Sequence, residues 1–335
     1  MIRRWAGTAL LGLFAMLLSL ALLEGGLRWL APQYIPDGRL QVTRDTQGVP
    51  RLPARQRIVH RDNSGEFQVT VQTNGAGFRE SIEPAAIDRG DLVIIGDSFP
   101  FGWGVNRLQR VGGQLANLLD RRVVTLALPG LGPLDYRALI EYVEQNSRLP
   151  SAFLVFITVE NDLAPTPAAA TAPVQDRWCV WPCLRHWLST HTATWQVLAA
   201  TLKQSEARPW LEQVGVIREL ETGVQKSLRH APDFSQLVDQ LSAVDANRII
   251  LVIVPSRGLW ISEYRQASEG LHQNLVAQLQ QTGMPVVDLA PAFLGSGAPA
   301  KLHFEHDPHW NIEGHRVAAK AIADHLQRLR PASNP

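Results

Sequence analysis

Four short stretches of the chain carry residues whose types and spacing suit nucleophilic acyl chemistry: Gly96-Asp97-Ser98-Phe99, Pro129-Gly130-Leu131-Gly132, Glu160-Asn161-Asp162 and Asp307-Pro308-His309-Trp310-Asn311, with Gly314-His315 just beyond. A serine on a tight, glycine-bounded turn is exposed for attack. It needs a base for its proton, a carboxylate to hold the base's imidazole in one tautomer, and hydrogen-bond donors for the oxyanion that forms. Ser98, His309 and Asp307 can fill the first three roles. The backbone N–H groups of Ser98 and Gly130 and the Asn161 side-chain amide can supply the donors.

These stretches must be held by rigid elements. The runs 91–96 (DLVIIG), 122–129 (RVVTLALP), 152–159 (AFLVFITV), 248–255 (RIILVIVP) and 285–289 (PVVDL) are near-continuous β-branched or aliphatic. That is how strands buried on both faces read. Helix-period apolar positions occupy 107–120, 133–148, 262–282 and 312–329; in the last, Ala318, Ile322 and Leu326 form a stripe and Asn311 is placed to cap. The alternation predicts an open α/β sheet, whose ligands sit in the crevice at the carboxyl ends of the strands. Three of the four stretches follow such a strand directly.

At these residues the sequence resembles the SGNH hydrolase superfamily, also called GDSL-type esterases. Gly96-Asp97-Ser98 matches the nucleophile block, Gly130 the glycine block, Asn161-Asp162 the Asn-Asp block, and Asp307 with His309 the Asp-His block, over about residues 70–330. The resemblance implies a flavodoxin-like three-layer sandwich with a mostly parallel sheet, a Ser98-His309-Asp307 triad, and an oxyanion hole on Ser98, Gly130 and Asn161. GDSFPFGWGV with DPHWNIEGH is similar to the membrane-anchored, exported bacterial branch, and more distantly to proteins that O-acetylate alginate and related exopolysaccharides. Two departures stand out. Glu160 replaces the usual glycine before the Asn, and one residue rather than two separates Asp307 from His309.

The other reactive side chains have competing readings. His303, His306 and His315 crowd His309 and could form a clustered metal site, but no metal or other cofactor is expected once Asp307 and His309 are assigned to a triad. Cys179 and Cys183, in CVWPC, form a disulfide candidate; with His186 and His191 they also mimic a zinc set. They lie in an insertion at about 163–247, which separates the third and fourth strands of the sheet and carries five of the ten tryptophans. Its helical patterns suggest a cap, with indoles either packing the cap helices or contacting sugar, acyl chain or membrane interface.

The first residues differ from the rest. From Trp5 to Leu23 there is no charge, Arg3 and Arg4 precede the run, and Glu24 ends it. At 1.5 Å per residue the run is about 28 Å long, close to the roughly 30 Å hydrocarbon core of a bilayer. The expected organisation is a transmembrane anchor at 1–30, a stalk with edge strands at 31–90, including the alternating 66–72 (EFQVTVQ), and a hydrolase domain at 91–330. The flanking arginines predict a cytoplasmic N-terminus and an exported, periplasmic or otherwise extracytoplasmic catalytic domain on the inner membrane. A signal peptide cleaved near Ser19-Leu20-Ala21 is the competitor. With 32 basic against 31 acidic residues, a formal charge of +1, no nucleic-acid partner is expected. The expected partner is an acyl-ester substrate, glycan or lipid, with O-acetyl favoured. Hydrolysis, O-acetyl transfer by the same triad, and non-catalytic assembly are the three functions in competition.

Overall fold

The computed structural model describes residues 2–35, 40–62, 66–162, 184, 187–188, 191–204, 234–242, 246–261, 264–305 and 307–329. These group into two compact units, one of Met1–Arg39, Arg61–Gly65 and Thr171–Leu220, the other of Leu40–His60, Glu66–Ala170 and Glu221–Pro335.

The larger unit is built on five parallel strands: β5 (Leu92–Gly96), β6 (Val123–Ala127), β7 (Ala152–Thr158), β8 (Ile249–Val254) and β9 (Val286–Asp288). Their order is β6-β5-β7-β8-β9, with Ile95 opposite both Leu126 and Val155. Each lies within one or two residues of the run that predicted it. Counted within this sheet the order is second, first, third, fourth, fifth, the flavodoxin-like arrangement. Before it come two small two-stranded sheets, β1 (Thr43–Arg44) with β2 (Pro50–Arg51), and β3 (Arg57–Arg61) with β4 (Gln68–Gln72).

Alternate residues of the central strands face opposite apolar layers. Val93, Ile95, Leu126, Val155 and Leu251 enter one core with Tyr136, Leu139 and Val143 of α4 (Pro133–Asn146), Leu237 of α7 (Phe234–Ser242) and Leu275 of α8 (Arg265–Gln280). Ile94, Leu154, Phe156 and Val252 enter the other with Val111 and Leu115 of α3 (Val111–Leu119), Phe293 of α9 (Ala290–Gly295) and Ala318 and Ile322 of α10 (Ile312–Leu329). The result is a three-layer α/β sandwich. Full burial of each Val, Leu or Ile contributes about 1.5–3 kcal/mol, and this two-sided burial is why the strands carry no polar alternation. Asn311 caps α10 as expected, its Oδ1 accepting from Glu313 N at 3.0 Å and Gly314 N at 3.1 Å.

In the smaller unit, α1 (Ile2–Leu30) is a continuous helix, and Leu10–Leu30 is long and apolar enough to cross a membrane. It is accompanied by α6 (Ala193–Gln204). Cys179, Cys183, His186 and most of the insertion at 163–247, including the cap expected there, lie outside the described residues, as does His306.

Candidate active site

The switch point of the sheet lies beside β5, because the chain leaves β5 for β6 on one side and returns to β7 on the other. The carboxyl ends of β5, β6 and β7 therefore frame one crevice. β5 ends at Gly96, where a Cβ would stand 2.6 Å from Pro100 Cγ and 2.9 Å from Phe156 Cβ. Only glycine lets the chain turn this sharply against β7. Asp97 caps the short helix α2 (Ser98–Phe101) by accepting from Phe99 N at 3.0 Å, which leaves Ser98 as the first helical residue. At that position the backbone N–H has no acceptor within its own helix. Gly130, after β6, has a φ of +77°, a left-handed conformation that glycine adopts without strain.

The structure brings Ser98, His309 and Asp307 together across more than 200 residues of sequence. His309 Nε2 is 2.7 Å from Ser98 Oγ, and His309 Nδ1 is 2.6 Å from Asp307 Oδ1. The one-residue spacing suits this geometry: Asp307 Oδ1 also accepts the His309 backbone N–H at 2.9 Å, so a single tight turn aims both side chains. Burial disfavours the charge on Asp307, but hydrogen bonds and charge from His309, the His309 backbone N–H and the Trp103 indole outweigh it and hold its pKa below the ordinary aspartate value.

Three further groups hold this site, and the sequence reading did not single them out. Trp103 Nε1 donates to Asp307 Oδ2 at 3.2 Å while its ring stacks on His309 at 5.2 Å and 26°. Arg257, just beyond β8, donates to the backbone carbonyls of Asp307 at 3.1 Å and Glu305 at 3.0 Å, fixing the loop that carries the dyad. Arg79, 1% exposed, donates to the carbonyls of Phe101 at 3.2 Å, Gly102 at 2.9 Å and Val105 at 2.7 Å, and so pins the loop that presents Trp103. Its neighbour Glu80 accepts from Arg110 and, at 2.7 Å, from Thr125 N on β6. Burial, reinforced by Arg110 and Arg107, lowers the Arg79 pKa to about 9, which still leaves it cationic at neutral pH. Trp103 was visible in GDSFPFGWGV as a bulky residue among glycines; nothing local marked Arg79 or Arg257.

Asp162 follows β7. It ends the short helix α5 (Val159–Asp162) and is buried, accepting from Thr158 N at 2.7 Å and Tyr136 Oη at 2.9 Å, which closes the turn containing Asn161. Burial, aided by the charge of Asp97, pushes its pKa well above the usual range. The side chains of Glu160 and Asn161 lie outside the described residues. His303 and His315 are core residues. His303 bridges to Trp310 and burial lowers its pKa to about 4; His315 accepts Val111 N at 3.2 Å and burial lowers its pKa to about 3. Among the described residues no three His, Cys, Asp or Glu side chains gather as a metal site would require.

The class that fold and site define is an α/β sandwich in which a serine, a histidine and an aspartate meet at the carboxyl ends of the strands, and comparison finds a likeness over part of the chain. Residues 210–334 match the family described as "SGNH hydrolase-like domain, acetyltransferase AlgX", which places the last strands, the Asp-His block and α10 within that likeness. No curated protein matches. Among solved structures, a lipolytic protein of the G-D-S-L family from Veillonella parvula is 11% identical with a TM-score of 0.42, covering 71% of this chain and 99% of its own. A lipase/acylhydrolase from Enterococcus faecalis is 13% identical with a TM-score of 0.41, covering 73% and 99%. An acetylxylan esterase from Geobacillus stearothermophilus is 14% identical with a TM-score of 0.40, covering 72% and 96%.

Proposed function

We propose that the protein is a membrane-anchored serine esterase that cleaves an O-acyl ester, with acetyl favoured, on a glycan or lipid of the cell envelope. The observation that carries this reading is the continuous chain Ser98 Oγ, His309 Nε2, His309 Nδ1, Asp307 Oδ1, with links of 2.7 Å and 2.6 Å. Ser98 Oγ attacks the acyl carbonyl carbon as its proton passes to His309 Nε2. Asp307 stabilises the imidazolium without taking its proton. The oxyanion is met by the Ser98 and Gly130 N–H groups and the Asn161 side-chain amide. Collapse of the tetrahedral intermediate expels the alcohol, which receives the proton from His309, and leaves an acyl-Ser98. Water, activated by the same imidazole, then releases the acid.

The match of residues 210–334 to an acetyltransferase family favours a second reading, in which a sugar hydroxyl takes the place of water in that last step. Both share the acyl-serine, and one experiment separates them from a non-catalytic assembly protein and from each other. Wild-type protein should be labelled covalently by a fluorophosphonate probe and Ser98→Ala should not; labelling of both, or of neither, overturns the triad. Acetyl transfer to a glycan in excess of 4-nitrophenyl acetate hydrolysis would assign the transferase.

The uncharged run ending at Glu24 supports an uncleaved anchor, N-terminus in the cytoplasm and catalytic unit exported. The protein should then resist carbonate extraction; release into a soluble periplasmic fraction would indicate cleavage.

A further inference from the structure

The end of the apolar helix is tied to the tryptophan-rich insertion. Glu24, the first charge after the uncharged run, accepts hydrogen bonds at the start of α6 from Ala193 N at 2.8 Å, Thr194 N at 2.9 Å and Thr194 Oγ1 at 2.7 Å. Arg28, one turn on, donates to Glu24 Oε1 at 2.8 Å and to the carbonyl of His191 at 2.7 Å. A carboxylate satisfied by four donors is a fixed joint, and it sets the depth of α6 relative to α1.

From that joint α6 runs back along the anchor rather than away from it. Leu20, Ala21 and Glu24 of α1 line a groove of about 300 Å³ together with Leu188, Trp195 and Leu198 and two threonines of the facing segment. Leu20 precedes Glu24 by one helical turn, so the groove reaches from the joint about 6 Å toward the apolar end of α1. Residues 192–202 (TATWQVLAATL) carry no charge, and the first is Lys203. An uncharged helix of this length is too short to span and suits an interfacial or re-entrant position. Leu198 is 49% exposed, Leu184 44% and Trp187 53%, on the same unit as Trp29 at 82%.

We propose that α6 is a second membrane-contacting element, sunk into the outer part of the bilayer beside α1, and that the groove between them holds an acyl chain of a bilayer phospholipid. The occupant follows from depth. Once α1 spans, Leu20 and Ala21 lie within the hydrocarbon, and a groove opening at their level meets lipid tails and not water. Trp29 and Trp187 then suit the headgroup level, where indoles are at once apolar and able to donate. The inference rests on reading α1 as a membrane anchor and is independent of the triad.

The test uses the full wild-type chain in vesicles of phosphatidylethanolamine and phosphatidylglycerol, doped with a phospholipid bearing a diazirine at the end of one acyl chain. After irradiation and tryptic digestion, lipid adducts are expected on the peptide spanning 186–203 as well as on the anchor peptide at 5–28. Adducts confined to 5–28 overturn the proposal and leave the anchor standing. Adducts on neither peptide overturn the anchor reading, and the proposal with it. Glu24→Gln, checked for unchanged thermal unfolding, should lower the 186–203 adducts at least fivefold and leave those at 5–28 unchanged; an unchanged yield at 186–203 removes the joint from the account.

Discussion

Asp307 is held from two sides, and this gives the proposed triad its most specific residue-scale prediction. Trp103→Phe keeps a ring against His309 but removes the N–H that reaches Asp307 Oδ2 at 3.2 Å. A hydrogen bond to a charged group is worth about 1.5–3 kcal/mol, so kcat for 4-nitrophenyl acetate should fall by about ten- to a hundredfold. Because that N–H helps hold the Asp307 pKa below its ordinary value, its loss raises the carboxyl's pKa. An unchanged kcat would reduce Trp103 to a packing residue. Asn161→Ala should cost about 10² to 10³ in kcat if its amide is an oxyanion donor, and KM should change little.

At the scale of elements, the site depends on turns that tolerate little. A methyl group added at Gly96 meets Pro100 Cγ at 2.6 Å and Phe156 Cβ at 2.9 Å, so Gly96→Ala must displace α2 from β7. Overpacking of this kind costs about 1–3 kcal/mol, and the displaced Ser98 should lose more activity than the protein loses stability, a difference that urea unfolding and burst kinetics would reveal. Arg79→Met leaves three loop carbonyls without their donor in a buried place, and the urea midpoint should fall by the equivalent of about 3 kcal/mol or more. The strands and most of the helices were legible in the chain, since two-sided burial writes itself as apolar runs and one-sided burial as a 3.6-residue stripe. The local blocks were legible too, because Gly96, Ser98 and Gly130 answer to backbone rules that act within a few residues. Arg79, Arg257 and the Glu80–Arg110 pair were not. An arginine that serves distant carbonyls has the same local signature as one that faces water, and only its burial at the end of a long loop separates the two.

For the whole molecule, His303 and His315 predict a pH dependence of stability. Burial lowers their pKa values to about 4 and about 3, so the folded chain keeps them neutral while the unfolded chain takes up protons below about 6.5. The stability they contribute is complete above pH 6.5 and is lost as pH falls, by about 1.4 kcal/mol per unit for each histidine between that pH and its folded pKa. Denaturant titrations between pH 7 and 4 on the detergent-solubilised chain should show this slope, and His315→Gln, which keeps an acceptor for Val111 N–H, should remove about half of it. Unchanged stability across that range would mean that both rings are accessible to protons. The sequence by itself determined the apolar run at the N-terminus, the parallel sheet and the four reactive stretches, because hydrophobic periodicity and turn chemistry are local properties. Tertiary structure alone decided which histidine of the crowded C-terminal stretch meets the serine, what steadies the aspartate, and that Glu24 joins α1 to α6. Those choices depend on contacts between residues separated by about 50 to 210 positions, and such contacts leave no periodic trace in the chain.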